Sequence, residues 1–221
     1  MATLAAKIDH TNLKSTATAQ DIRLLCDQAK KWGTASVCVH PLWVALAAEK
    51  LKESSVAVCT VVGFPLGANT SRIKVLEAAE AVKNGATEVD MVQNIGWAKE
   101  GRWADVEAEI RQVVEAAKPA LVKVILECCD LTKEEIRQAA LCAVRAGADF
   151  VKTSTGFSTG GATVEDVKLL KEVVAGRCQI KAAGGIRSYE TAKAMVEAGA
   201  DRIGASATGT IIKEETEAMG E

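Results

Sequence analysis

The stretch Phe150-Val151-Lys152-Thr153-Ser154-Thr155-Gly156 runs from β-favouring bulk into a small polar turn, with Lys152 at the join. An ammonium is costly to desolvate at such a place. A lysine forced into it can surrender its proton and become a free amine, a nucleophile towards carbonyl carbons. The plain alternative is a side chain that points to solvent. Lys181, in Gln179-Ile180-Lys181-Ala182-Ala183-Gly184-Gly185, also ends an apolar run, about one strand–helix unit later. Two neighbouring ammoniums repel, so one loses its proton more readily. Asp90, in Glu88-Val89-Asp90-Met91-Val92, is placed to shuttle protons and to keep Lys181 charged. Each lysine alone reads as a surface charge; the three residues together at strand ends read as a catalytic set. Lys123 is a rival, but it lies near the start of its strand, lower down, and reads as half of a structural ion pair with an acidic neighbour.

These residues need a scaffold that brings strand ends together. Strands are expected at Ile8–Thr11, Val37–Val39, Val56–Val62, Glu88–Val92, Leu121–Glu127, Phe150–Lys152, Gln179–Ala182 and Arg202–Ala205. Helices are expected from Thr18 to the stop at Gly33, from Pro41 to about Leu51, from Ser71 towards Gly85, and from about Trp103 to Ala117. Others follow the Thr132/Glu135 capping pair, run from Val164 to Val174, and run from Ser188 to Ala198. Eight alternating units in one 221-residue domain, residues 1–221, close most simply into a (β/α)8 barrel of parallel strands with a short N-terminal turn. Four helices stop at a glycine just before a strand: Gly33, Gly85, Gly147 and Gly199. Five residues on from each lie Cys38, Asp90, Lys152 and Gly204. Units in register would hold these four at one height near the strand ends, where barrel enzymes keep their chemistry.

Composition excludes several alternatives. A net charge of −2 gives no electrostatic case for nucleic acid or an anionic membrane. Seven cysteines, an odd number set mostly in apolar runs, argue against a disulfide framework and for a reducing, cytoplasmic setting. No spacing resembles a metal site, no signal sequence is visible, and no apolar run approaches membrane-spanning length. The four tryptophans read as packing residues, and His10 as a residue bordering the mouth. Lys213 to Glu221, charged or small, read as a frayed end.

Gly184-Gly185 follows the seventh strand, and Gly204-Ala205-Ser206-Ala207-Thr208-Gly209 includes the end of the eighth. Glycines let backbone N–H groups approach an anion, and barrels often bind phosphate with these two loops. A phosphorylated substrate is therefore expected.

Five segments, in order and spread over nearly the whole chain, resemble the deoxyribose-phosphate aldolase family. They are Asp9-His10-Thr11, Val61 to Gly67, Glu88 to Val92, Val151 to Gly156 and Lys181 to Arg187. The resemblance implies a class I aldolase that reversibly cleaves 2-deoxy-D-ribose 5-phosphate to D-glyceraldehyde 3-phosphate and acetaldehyde, in deoxyribose phosphate catabolism. Lys152 would form the Schiff base, and Asp90 and Lys181 would move protons. Thr155, Gly156, Gly184, Gly185, Gly204 and Ser206 would contact substrate and phosphate, with Cys38 near the pocket. No metal or cofactor is implied, and a homodimer is expected. Many relatives carry proline at Ala182 and a second serine at Ala207, so one phosphate hydroxyl is missing here. Two other readings stay open: an aldolase for a different phosphosugar, and a silent barrel that only binds one.

Overall fold

The computed structural model describes residues 3–220. Eight parallel strands close into a barrel in chain order. They are β1 (Ile8–Asn12), β2 (Ser36–Val39), β3 (Ala57–Val62), β4 (Glu88–Val92), β5 (Leu121–Ile125), β6 (Phe150–Lys152), β7 (Gln179–Ala183) and β8 (Arg202–Ala205). The helices are α1 (Ala19–Trp32), α2 (Val44–Leu51), α3 (Ser71–Lys83), α4 (Ile95–Lys99), α5 (Trp103–Ala117), α6 (Lys133–Arg145), α7 (Val164–Val174), α8 (Tyr189–Ala198) and α9 (Thr208–Met219). The (β/α)8 architecture expected from the alternation is the one observed.

Local chemistry sets most boundaries. Thr18 with Asp21, and Thr132 with Glu135, form reciprocal capping boxes at the starts of α1 and α6. The four repeated glycines all adopt positive φ, from 65° at Gly33 to 117° at Gly199, a conformation a side chain would strain. Three expectations need correction. The sequence around Pro41 first forms a 3-10 turn, Pro41–Trp43, before α2 begins. Helix α4 was not anticipated. The chain end is helical rather than frayed as far as Met219: Ile211 buries its side chain, and a Glu215 carboxylate oxygen accepts the Leu4 N–H at 2.9 Å. Glu221 lies outside the described residues.

The hydrophobic core is a ring between sheet and helices. Outward-facing Val89, Met91, Val122, Val124, Val151, Ile180 and Ile203 pack on the inner faces of the helices, among them Ile110 and Val113 of α5 and Leu170 of α7. That annulus supplies the apolar burial, which leaves the barrel axis free to be polar.

The strand register places the axis residues in layers. Cys38 pairs with Cys59 and Cys59 with Glu88, so Asp90 stands two residues further along. Asp90 pairs with Lys123 and Lys123 with Phe150, so Lys152 again stands two further. Lys152 pairs with Lys181 and Lys181 with Arg202, and Gly204 is the next step. This constant stagger is what strand tilt in a closed barrel requires, and it returns the four residues to one level. Asp9, Cys59, Lys123 and Lys181 form the layer beneath, from the odd strands. Ser36, Glu88, Phe150 and Arg202 form the layer below that, two residues before each member of the top layer.

Helix α3 clamps two strand ends near the mouth. Buried Lys74 donates to the Val92 carbonyl at 2.9 Å and to Glu109 of α5 at 2.7 Å, while Glu77 accepts the Gly63 N–H at 2.8 Å. Truncating Lys74→Ala leaves a charged Glu109 without its partner, and the unfolding free energy should fall by about 3–5 kcal/mol. Urea titration checks this; a loss under about 1 kcal/mol would show that the clamp holds nothing.

Candidate active site

Lys152, at the end of β6, lines a cavity of about 500 Å³ at the carboxyl ends of the strands. The residue is nearly buried, at 3% exposure. Its Nζ lies 2.7 Å from Asp90 Oδ2. Lys181 Nζ lies 2.7 Å from the same oxygen, and Lys123 Nζ lies 2.9 Å from Asp90 Oδ1. The three residues expected to act together are thus joined through one carboxylate. Lys123 does sit in the layer beneath and does pair with an acid, Glu88, at 2.5 Å, but it also belongs to the environment of Asp90.

Electrostatics fix the charge states below the cavity. Burial pushes Asp90 towards protonation, but Lys123, Lys152 and Lys181 outweigh it and hold the carboxyl well below its ordinary range. Burial also acts to strip Lys181 of its proton, and Asp9 and Asp90 reverse that, holding it well above the usual lysine value. Lys123 is held up in the same way, chiefly by Asp90 against burial. Lys181 therefore stays a cation and Asp90 an anion, with Lys152 the lysine of the three that lines the cavity.

Asp9, Glu88 and Arg202 extend this network downwards. Arg202 meets Asp9 at 2.6 Å and Glu88 at 3.1 Å, and Asp9 also contacts Lys181. The Phe150 ring faces both Lys123 and Arg202, at 5.7 and 5.5 Å from its centroid. Sequence reasoning gave these lower residues no role. A signal was present: three residues on from each of the four repeated glycines lie Ser36, Glu88, Phe150 and Arg202, the lowest layer.

Thr155, Gly156, Gly184, Gly185, Gly204 and Ser206 all line the cavity with Lys152, and Gly156 stands against Gly184, where a Cβ on Gly156 would lie 3.7 Å from the Gly184 Cα. Gly184 and Gly185 both have positive φ, and Gly161 approaches so closely that a Cβ there would stand 2.3 Å from the Gly184 carbonyl oxygen. Ala207 begins α9 with no side-chain cap, which leaves that helix's first N–H groups open to an anion. Arg187 and Lys14, neither assigned from sequence, add positive charge at the rim. Gly204 also faces the axis, where a Cβ would stand 3.1 Å from Lys181 Cε and 2.9 Å from Ala183 Cβ.

Cys38 is not brought into the cavity. It is buried against Cys59, one layer-mate away from Asp90, and does not line the pocket. Cys38, Cys59 and Asp90 bring ligand-type atoms within 4.8 Å of one another. The ammonium groups of Lys123 and Lys181 already hold that carboxylate, so the spot repels a metal cation. His10 borders the cavity, with its ring turned out between Gln28 and Thr208. Glu127 was also missed. It is buried in the left-handed region at φ 56°, accepts the Thr155 N–H at 3.2 Å, and takes the Thr155 hydroxyl. Burial raises its carboxyl above the ordinary range, and its hydrogen bonds hold the loop that carries Thr155.

A buried lysine at the mouth of a barrel, set on an ionised carboxylate that it shares with a second lysine, has what amine-dependent carbonyl chemistry requires. Comparison with known proteins agrees. Residues 3–216 match the DeoC/LacD family aldolases. The chain is 60% identical over 205 residues to the deoxyribose-phosphate aldolase of Exiguobacterium sibiricum, covering 92% of this chain and 93% of the relative. It is 58% identical over 214 residues to that of Caldanaerobacter subterraneus subsp. tengcongensis, covering 96% and 93%. The tetrameric deoxyribose phosphate aldolase structure from Aeropyrum pernix superposes with a TM-score of 0.89 at 35% identity, covering 95% of this chain and 89% of that one. An aldolase designated QR15 gives 0.94 at 41%, with complete coverage of both chains. The chain belongs to the DeoC/LacD family of aldolases.

The absence of a side chain at Gly204 sets where Lys181 can stand. Gly204→Val should displace its ammonium and lower turnover by about a hundredfold while the far-UV circular dichroism is kept. Parental turnover in that variant would show that Lys181 needs no such space.

Proposed function

We propose that this aldolase reversibly cleaves 2-deoxy-D-ribose 5-phosphate to D-glyceraldehyde 3-phosphate and acetaldehyde. The observation that carries the reading is Lys152 lining the cavity, its Nζ 2.7 Å from a carboxylate oxygen that it shares with Lys181. The curated relatives at 60% and 58% identity carry the same activity in their names.

The open-chain sugar places its C1 aldehyde at Lys152, and the phosphate lies against Gly184, Gly185, Ser206 and the start of α9. The Lys152 nitrogen adds to C1, and loss of water leaves a protonated imine. The C2–C3 bond then breaks as the C3 hydroxyl gives up its proton; its electron pair flows into C2, forming an enamine as the imine nitrogen becomes neutral. D-glyceraldehyde 3-phosphate leaves. A proton returned to C2 regenerates the imine, and water releases acetaldehyde and the free amine. Asp90 and Lys181 handle the protons through water, because their opposite charges sit at hydrogen-bond distance beside the reacting nitrogen. Thr155, held by Glu127, orients a substrate hydroxyl. The reaction needs no metal or cofactor in this reading.

Seven free cysteines among the described residues fit a reducing, cytoplasmic setting. No helix is long and apolar enough to cross a membrane among the described residues. A homodimer is our reading of its assembly.

Coupled assay of glyceraldehyde 3-phosphate release tests the roles. Lys152→Ala should lose at least about a thousandfold in kcat with the fold intact. Asp90→Asn and Lys181→Ala should each lose about a hundredfold or more. Near-normal turnover of Lys152→Ala would overturn the assignment. A folded parent that binds deoxyribose 5-phosphate without releasing any aldehyde is a silent binder.

A further inference from the structure

The ion network runs the length of the barrel axis, and its charges do not balance. Among the described residues, three carboxylates meet there: Asp9, Glu88 and Asp90. Four cationic side chains face them: Lys123, Lys152, Lys181 and Arg202. In a dry interior a surplus positive charge is costly, and it is relieved when one group gives up a proton. Arg202 cannot be that group, since a guanidinium keeps its proton at any ordinary pH. Lys123 contacts Asp9, Glu88 and Asp90, and Lys181 contacts Asp9 and Asp90. Lys152 contacts Asp90 alone, through an oxygen already shared with Lys181, and it is the one at the cavity.

We propose that Arg202 and Glu88, at the opposite end of the barrel, are positioning residues that set the charge surplus keeping Lys152 available as an amine. The inference rests on the reading of Lys152 as the nucleophile. Neither residue lines the cavity, and each acts through the layer between: Arg202 through Asp9 to Lys181, and Glu88 through Lys123 to Asp90. The pairing of Arg202 is set rather than incidental. It divides its guanidinium between Asp9 and Glu88, lies over Phe150 and is only 15% exposed. Among the described residues, the other titratable groups beside the column are the thiols Cys38 and Cys59 and the carboxyl of Glu127, and His10, Lys14, Asp21 and Arg187 line the cavity above Lys152. Cys59 donates to Asp90 at 3.1 Å, and Glu127 is turned to Thr155.

The test is the acid limb of kcat/KM against pH for cleavage of deoxyribose 5-phosphate, where protonation of the nucleophile slows the reaction. Arg202→Gln removes the surplus and should move the limb to higher pH by about one unit, a tenfold loss of rate on the steep part. Glu88→Gln enlarges the surplus and should move it to lower pH. The double variant Glu88→Gln/Arg202→Gln removes one charge of each sign and should bring the limb back to the parental position. Arg202→Lys, which keeps the charge, should stay close to the parent. A purely structural role predicts losses that add in the double variant and no opposite shifts. Limbs that coincide in all variants, or a double variant displaced beyond either single one, would overturn the proposal. If Arg202→Gln does not fold, Glu88→Gln and the double variant decide between the same outcomes. A parent that cleaves no deoxyribose 5-phosphate fails the functional reading; an active parent with unmoved limbs fails only this inference.

Discussion

One carboxylate holds the site together. Asp90 is fully buried and takes three lysines on two oxygens, Lys152 and Lys181 on one and Lys123 on the other. Buried charge of this density is stable only when each member is paired, because an uncompensated ion in the interior costs several kcal/mol. The pairing in turn demands that β4, β5, β6 and β7 keep their register, since a slip of one residue would turn every one of these side chains out into the apolar annulus. The catalytic geometry and the closure of the barrel are therefore one constraint.

The apolar ring makes this possible. Burial that would ordinarily fill the axis is supplied outside the sheet, by the outward-facing valines and isoleucines of the strands and the inner faces of the helices. Inside, small residues open room where long ones need it: Gly204 leaves space for Lys181, and the Gly161–Gly184 approach shapes the rim. The result is a gradient along the axis. Fully paired ions lie at the bottom and middle, a lysine with one shared partner stands at the top, and an open cavity lies above it.

Much of this was legible in the chain. The glycine stops gave the unit length, and counting from them to Asp90, Lys152 and Gly204 picked out a true barrel layer, because strand tilt and stagger are fixed by closure. Lys123 lies beneath the top layer, as its place in its strand suggests, but Lys181, read as standing at a strand end with Lys152, lies in that same lower layer and does not line the cavity. Other features depend on distances that spacing does not encode. Cys38 belongs to the top layer yet turns out to be buried against Cys59. Glu127 looks like the last residue of a strand, yet β5 ends at Ile125, and Glu127 is left-handed with its carboxyl on the Thr155 N–H. Helix α9 has polar and small residues at its start and charges at its end, so its dependence on Ile211 and Glu215 shows only once the N-terminal turn is seen beside it.

The central claim is that Lys152, and neither of the two lysines that share Asp90 with it, is the amine that bonds to carbonyl carbon. The direct measurement is treatment with acetaldehyde and borohydride, followed by proteolysis and peptide mass mapping. A single reduced two-carbon adduct on Lys152 is the predicted result. An adduct on Lys123 or Lys181 instead, or none in a protein that still binds deoxyribose 5-phosphate, would contradict the account.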